Sequence, residues 1–221
     1  MVQLEYSQRR KLHLARLTTR KEIQIPRKIW HIVMGTSMGF LYLNVVTSQA
    51  LALLILGVLG GILITLDFYR LKNPALNRFT LQLLGPITRR EEVHSHSAMV
   101  SFIIAAFIAI AVFPRPIAAL SFILLGCADP AASVVGILFG KDSLWNGKSV
   151  QGSLACFVVS FIIILIFVSN QHLAATAFLP IAFIGALAIT IAELGIIKID
   201  DNFSVPIFGG AAIWLTLTLL G

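Results

Sequence analysis

Hydrophobic and polar positions along this chain alternate by whole segments. Seven apolar runs lie near residues 29–46, 49–66, 97–113, 116–140, 153–168, 173–194 and 204–220, with polar stretches between them. Runs of this length, without two-residue alternation, predict membrane-spanning helices and argue against a barrel. The expected fold is all-α, a polytopic membrane protein of about seven transmembrane helices. Composition agrees. The chain is 57% hydrophobic and only 12% charged, more apolar surface than a soluble domain can bury.

Charge divides the chain further. Eight of the 17 Lys and Arg residues fall in the first 28 positions. That segment, with Leu4, Leu12, Leu14 and Leu17 interspersed, reads as a basic amphipathic helix on an anionic membrane surface, or as a solvated tail. Residues 29–221 form one transmembrane domain. The first apolar run starts late and lacks a small-residue cleavage site, so no cleavable signal is expected. With the N-terminus inside, every basic residue except Arg115 falls on the inner side. The positive-inside rule then puts the N-terminus in the cytoplasm and the C-terminus on the opposite side. Cys127 and Cys156 lack metal-ligand spacing and read as small core residues.

The most informative stretch runs from Leu124 to Ser153. It carries Asp129 directly before Pro130 within an apolar run. An ionisable group at membrane depth costs roughly 2.5–3.5 kcal/mol on insertion scales and is a functional-site hypothesis by default. Pro130 has no N–H and biases Asp129 away from the α region, which predicts a helix broken near Asp129. One helix over 116–140 would be about 37 Å long, more than a core of roughly 30 Å needs. Asp129 then either caps the second half or holds a cation or phosphate-bound metal at the break. Helical spacing puts Gly126, Asp129, Ser133, Gly136 and Gly140 near one face.

The inner loops carry the remaining chemistry. In the first span, His31, Gly35 and Gly39 share a face, just after Arg27 and Lys28. Residues 67–96 hold Asp67 and Arg70 at pairing distance on a helical turn, an amphipathic piece with Leu76, Phe79, Leu81 and Leu83, then Arg89-Arg90-Glu91-Glu92, His94 and His96. This is either an i,i+3 pair with a basic flank, or a set of phosphate-binding arginines with carboxylates for metal. Gly147-Lys148-Ser149 is no Walker A site, because Gly140 lies too far upstream and no strand precedes it. A flexible glycine, a lysine and a serine still suit phosphate. Glu193 ends the sixth span, and Asp200-Asp201-Asn202 follow, a capping turn or a hard-cation site of the Mg²⁺–phosphate kind. Acids and bases gathered at one membrane face are what transfer of a phosphate to a lipid needs.

These motifs, in this order, resemble the CTP-dependent lipid kinase family, which includes dolichol, phytol and yeast-type diacylglycerol kinases. The resemblance rests on Arg27-Lys28-x-x-His31 with Gly35, Asp67-x-x-Arg70, Arg89/Arg90 with Glu91/Glu92, Ala128-Asp129-Pro130-Ala131-Ala132, Gly136-x-x-Phe139-Gly140-Lys141, Gly147-Lys148-Ser149-x-x-Gly152-Ser153, Glu193 and Asp200-Asp201-Asn202-x-x-x-Pro206. Ala128, Gln151 and Ser95 or Ser97 stand where the family usually has Gly, Glu and Gly. The resemblance implies transfer of the CTP γ-phosphate to a polyprenol-type alcohol or diacylglycerol. It implies Mg²⁺ held by Asp129, Asp200 and Asp201, and catalytic roles for Asp129, Asp67 and Glu193. Phosphates would meet Arg70, Arg90, Lys141, Gly147, Lys148, Ser149 and Asn202. His31, Ser133, Gly136 and Gly140 would support the lipid side. The partners are then a nucleoside triphosphate and a lipid alcohol in the bilayer, with no nucleic acid. Two rivals are a phosphatidate cytidylyltransferase-like enzyme and a small ion-coupled transporter or scaffold.

Overall fold

The computed structural model describes residues 22–171, 175–196 and 199–220. All seven predicted runs are helical. They are α1 (Ile25–Asn44) and α2 (Gln49–Lys72), then, after a short α3 (Pro74–Leu84), α4 (Ala98–Val112), α5 (Arg115–Phe139), α6 (Val150–Ser169), α7 (Ala175–Glu193) and α8 (Asp201–Leu220). Among the described residues there is no strand, only an isolated antiparallel bridge between Ser143 and Ser149. Local sequence explains the boundaries. Ser48 caps α2 through Leu51 N–H at 3.3 Å. Asn73 ends α2 and caps α3, accepting from Ala75 and Leu76 at 2.9 and 3.2 Å, and Pro74 fits the first turn that follows. Of the basic segment predicted over 1–28, residues 1–21 lie outside the described residues, and Ile25 to Lys28 are already the first turn of α1.

Five helices, α2, α5, α6, α7 and α8, are long and apolar enough to cross a bilayer. The chain is therefore an integral membrane protein. The two other expected spans are α4, apolar but only 15 residues long, and α1, which opens on Arg27, Lys28 and His31.

The expected break at Asp129 is absent. α5 is a single helix of 25 residues that runs through Pro130, so Asp129 is not an N-cap. Pro130 removes one backbone bond, whereas ending the helix would free several groups where little water is available to satisfy them. α8 also differs from expectation. It begins at Asp201, and Val205–Gly209 form a π turn around Pro206, a wider turn of the kind that relieves a missing N–H.

α5 is the central helix, packed against α1 and α6 with its Phe122, Leu124, Leu125 and Ala128 buried. Small residues set the crossings. A Cβ on Gly35 would stand 2.6 Å from the Phe122 carbonyl oxygen and 2.7 Å from Gly126 Cα. A Cβ on Gly152 would meet the Ala132 carbonyl oxygen at 2.7 Å. In lipid, where apolar burial gives helices little reason to associate, backbone approach of this kind supplies the attraction. Leu54, Leu59, Ile62, Leu154, Ile166 and Leu179 point outward, where acyl chains would cover them.

Candidate active site

Contacts bring the charged loops to one end of the bundle. Arg27 on α1 donates from Nη1 to Glu92 Oε1 at 2.7 Å and to the Ile87 carbonyl at 2.9 Å. Lys28 donates to Ser133 Oγ on α5. One turn further, His31 Nδ1 lies 3.7 Å from Asp129 Oδ2. The Gly35–Gly126 crossing explains why. With no side chain between the helices, α1 lies close enough for its first two turns to reach Ser133 and Asp129.

The 140–149 loop delivers the lysine. Asn146 (φ 50°) and Gly147 (φ 75°) both take left-handed backbone, which glycine and asparagine tolerate best. Leu144 N–H donates to the Lys148 carbonyl, and Lys148 N–H to the Trp145 carbonyl, both at 2.8 Å. This turn directs the Lys148 ammonium onto Glu193 at the end of α7 and onto Asp201 Oδ2, 3.4 Å away. Burial by itself would lower the Lys148 pKa. The carboxylates of Asp201, Glu193 and Asp129 outweigh that and hold it above its ordinary value.

α8 starts on the acid pair. Asp200 is its N-cap, accepting from Asn202 N–H at 3.0 Å. Asn202, itself buried, donates to Asp200 Oδ1 at 2.7 Å and to Asp201 Oδ1 at 3.3 Å. Burial and the adjacent Asp201 charge raise the Asp200 carboxyl above its ordinary value. Asn146 Nδ2 ties the two loops by donating to the Gly195 carbonyl at 2.8 Å.

The structure therefore gathers Asp129, His31, Ser133, Lys148, Glu193, Asp201 and Asn202. Other expected residues serve the backbone. Ser149 caps α6 through Gly152 N–H at 3.1 Å. Gly136 lies against Ser149 and Gly152, and Gly140 ends α5. Lys141 presents its own N–H to Gln151 Oε1 at 3.1 Å, with its side chain outside. Gln151 also donates to Asp142 at 3.4 Å, which a glutamate carboxylate cannot do.

Asp67 and Arg70 form a separate buried network. Arg70 Nε donates to Asp67 Oδ1 at 2.7 Å. Its other nitrogens reach Asn77 Oδ1 and the carbonyls of Glu92 and Ser95 at 2.8–3.0 Å. Asp67 Oδ2 meets His96 Nδ1 at 2.8 Å. With its donors taken up this way, Arg70 clamps the 85–97 segment. Arg90 is exposed at the outer edge of that segment. Arg27 and Lys28, noted from the sequence only for their place just before His31, bond Glu92, the Ile87 carbonyl and Ser133.

Among the described residues no three His, Cys, Asp or Glu side chains converge as a metal cage. The donor set still fits Mg²⁺ shared with a phosphate ligand. It consists of hard carboxylate oxygens, and Glu193 Oε2 is buried without a hydrogen-bond partner. Mg²⁺ is usually held by one or two carboxylates plus phosphate oxygens and water.

No protein-family model matches the chain, and no solved structure matches it. Curated proteins do. CTP-dependent diacylglycerol kinase 1 of Eremothecium gossypii is 29% identical over 205 residues, covering 83% of this chain and 64% of that protein. The protein of the same name from Schizosaccharomyces pombe is 29% identical over 216 residues, 89% of this chain and 95% of its own length. That of Saccharomyces cerevisiae is 26% identical over 210 residues, 83% and 70% respectively. The chain thus spans just under two thirds of the first relative and nearly all of the second. Over most of its length the chain is similar to these three CTP-dependent diacylglycerol kinases, which supports a place in the CTP-dependent lipid kinase family.

Proposed function

We propose that this protein transfers the γ-phosphate of CTP to the hydroxyl of a membrane lipid alcohol, with diacylglycerol the first acceptor to test. The observation that carries the reading is the Lys148 ammonium set among Glu193, Asp201 and Asp129 at one end of a bundle of membrane helices. The names of the relatives support the donor and the acceptor class.

In this reading the hydroxyl oxygen bonds to the γ-phosphorus, the bond to the β,γ-bridging oxygen breaks, and CDP leaves. Asp129, paired with His31, takes the hydroxyl proton. Lys148 turns from the carboxylates to the phosphates. Asp200 and Asp201, steadied by Asn202, and the free oxygen of Glu193 are the residues that would hold Mg²⁺. Bound there, the ion would neutralise phosphate charge. The charged end lies in the cytoplasm by the distribution of Lys and Arg, and α1 and α4 complete seven crossings.

The test uses purified protein in lipid nanodiscs with diacylglycerol, polyprenol and phytol as acceptors. Label in the lipid product from γ-labelled but not α-labelled CTP is expected. Label from the α-position would instead indicate a cytidylyltransferase. Equal turnover with ATP would overturn the donor.

A further inference from the structure

We infer that Arg89, and not Arg70 or Arg90, is the guanidinium that grips the triphosphate. The inference deepens the phosphoryl-transfer reading above and rests on it for the identity of the nucleotide.

Arg89 sits between two 3₁₀ turns, Gly85–Ile87 and Arg90–Val93. Both flanks of this residue are tied to the site. Arg27 holds the Ile87 carbonyl on one side and the Glu92 carboxylate on the other, and Arg27 adjoins Lys28 and precedes His31 on α1. Behind the turn, Arg70 holds the Glu92 and Ser95 carbonyls and Asn77 Nδ2 holds that of Val93 at 3.0 Å. Thr88 Oγ1 donates to the Leu84 carbonyl at 2.8 Å. The backbone on both sides of Arg89 is therefore fixed at the mouth of the acidic cluster.

The side chain itself is unspent. Its Nε is buried and makes no hydrogen bond, and its guanidinium forms no ion pair among the described residues. Its charge nonetheless acts on Asp200, Asp201, His31 and Lys28. A buried guanidinium nitrogen without an acceptor is costly. A planar donor fork within electrostatic reach of Asp200 and Asp201, but bonded to neither, suits an oxyanion arriving between them, and bidentate phosphate is what arginine geometry matches. Arg70, expected from the sequence on phosphate, belongs with Asp67 to the network that supports the turn carrying this other arginine.

The experiment compares wild type, Arg89→Gln and Arg78→Gln in nanodiscs. Arg78 is an exposed cation on α3 in the same 67–96 stretch, so its loss removes the same charge from the same inter-span segment. Binding of CTP and of inorganic tripolyphosphate is measured at equilibrium, and γ-phosphate transfer to diacylglycerol in parallel. Arg89→Gln should weaken tripolyphosphate binding about ten- to a hundredfold, as loss of charge-assisted hydrogen bonds does. Arg78→Gln should stay within about threefold, as for a screened exposed charge. Equal weakening in both variants, or none in Arg89→Gln, would overturn the inference. A wild type that binds tripolyphosphate through Arg89 yet transfers no label would leave Arg89 assigned and remove the kinase reading instead.

Discussion

His31 on α1 and Asp129 on α5 face each other with 3.7 Å between Nδ1 and Oδ2. They are brought together by the glycine crossing that puts Gly35 against Gly126. The pair is partly buried and lies beside the Lys28–Ser133 contact. It joins the helix that opens the described chain to the central one.

Asp129→Asn keeps the shape of the side chain and removes its charge and basicity. Because Asp129 lies inside α5 and caps nothing, the fold should tolerate the change, with thermal midpoint within a few degrees of wild type. Phosphoryl transfer should fall about 10²–10³-fold or more. A variant retaining more than about a tenth of the rate, against that expected loss, would return Asp129 to a packing role.

Lys148→Met should abolish transfer and also destabilise. The Glu193 side chain is 2% exposed, and removing its partner leaves a buried charge uncompensated, at a cost of about 3–5 kcal/mol. The double change Lys148→Met with Glu193→Gln should regain most of that stability and none of the activity. Thermal melts of the three variants decide this. With its pKa raised, Lys148 contributes fully at every pH below the ordinary lysine value. Its contribution is lost only in stronger alkali, as pH rises through the elevated value.

Arg70→Lys should act on stability first. A lysine cannot serve Asp67, Asn77 and the carbonyls of Glu92 and Ser95 together, and orphaned buried partners cost about 1–3 kcal/mol each. Denaturant or thermal unfolding should show the loss, whereas a phosphate ligand would show it chiefly in CTP affinity.

Gly126→Val should separate α1 from α5, because a Cβ there already lies 3.1 Å from Gly35 Cα and from the His31 carbonyl oxygen. Gly61→Val makes a control, since nothing stands within 4 Å of its added Cβ. The first should lower the thermal midpoint and uncouple His31 from Asp129, and the second should change neither.

Single cysteines at Leu144 and Gln171, both exposed and at opposite ends of α6, should label from opposite sides of the membrane. Labelling from one side would remove the proposed orientation.

Apolar length was enough to locate the helices. Bilayer thickness sets how many apolar residues a crossing needs, so the runs at 49–66 and 153–168 became α2 and α6 with shifted ends. The one-sided distribution of Lys and Arg likewise foretold that Lys148 and the Asp200–Asp201 pair share an end of the bundle with Arg27. Which charge meets which was decided only by packing. Asp67-x-x-Arg70 read equally as a helical-turn pair or as part of a site, and only the fold showed Arg70 bonded to Asp67, Asn77 and the carbonyls of Glu92 and Ser95. Pro130 marked a break by its local chemistry. The membrane interior reversed that, because backbone groups without water are better served by continuing the helix. Neighbouring residues determine capping, apolar length and turn preference. Pairing across 45 residues, as between Lys148 and Glu193, depends on helices crossing at glycines, and no local pattern encodes where those crossings fall.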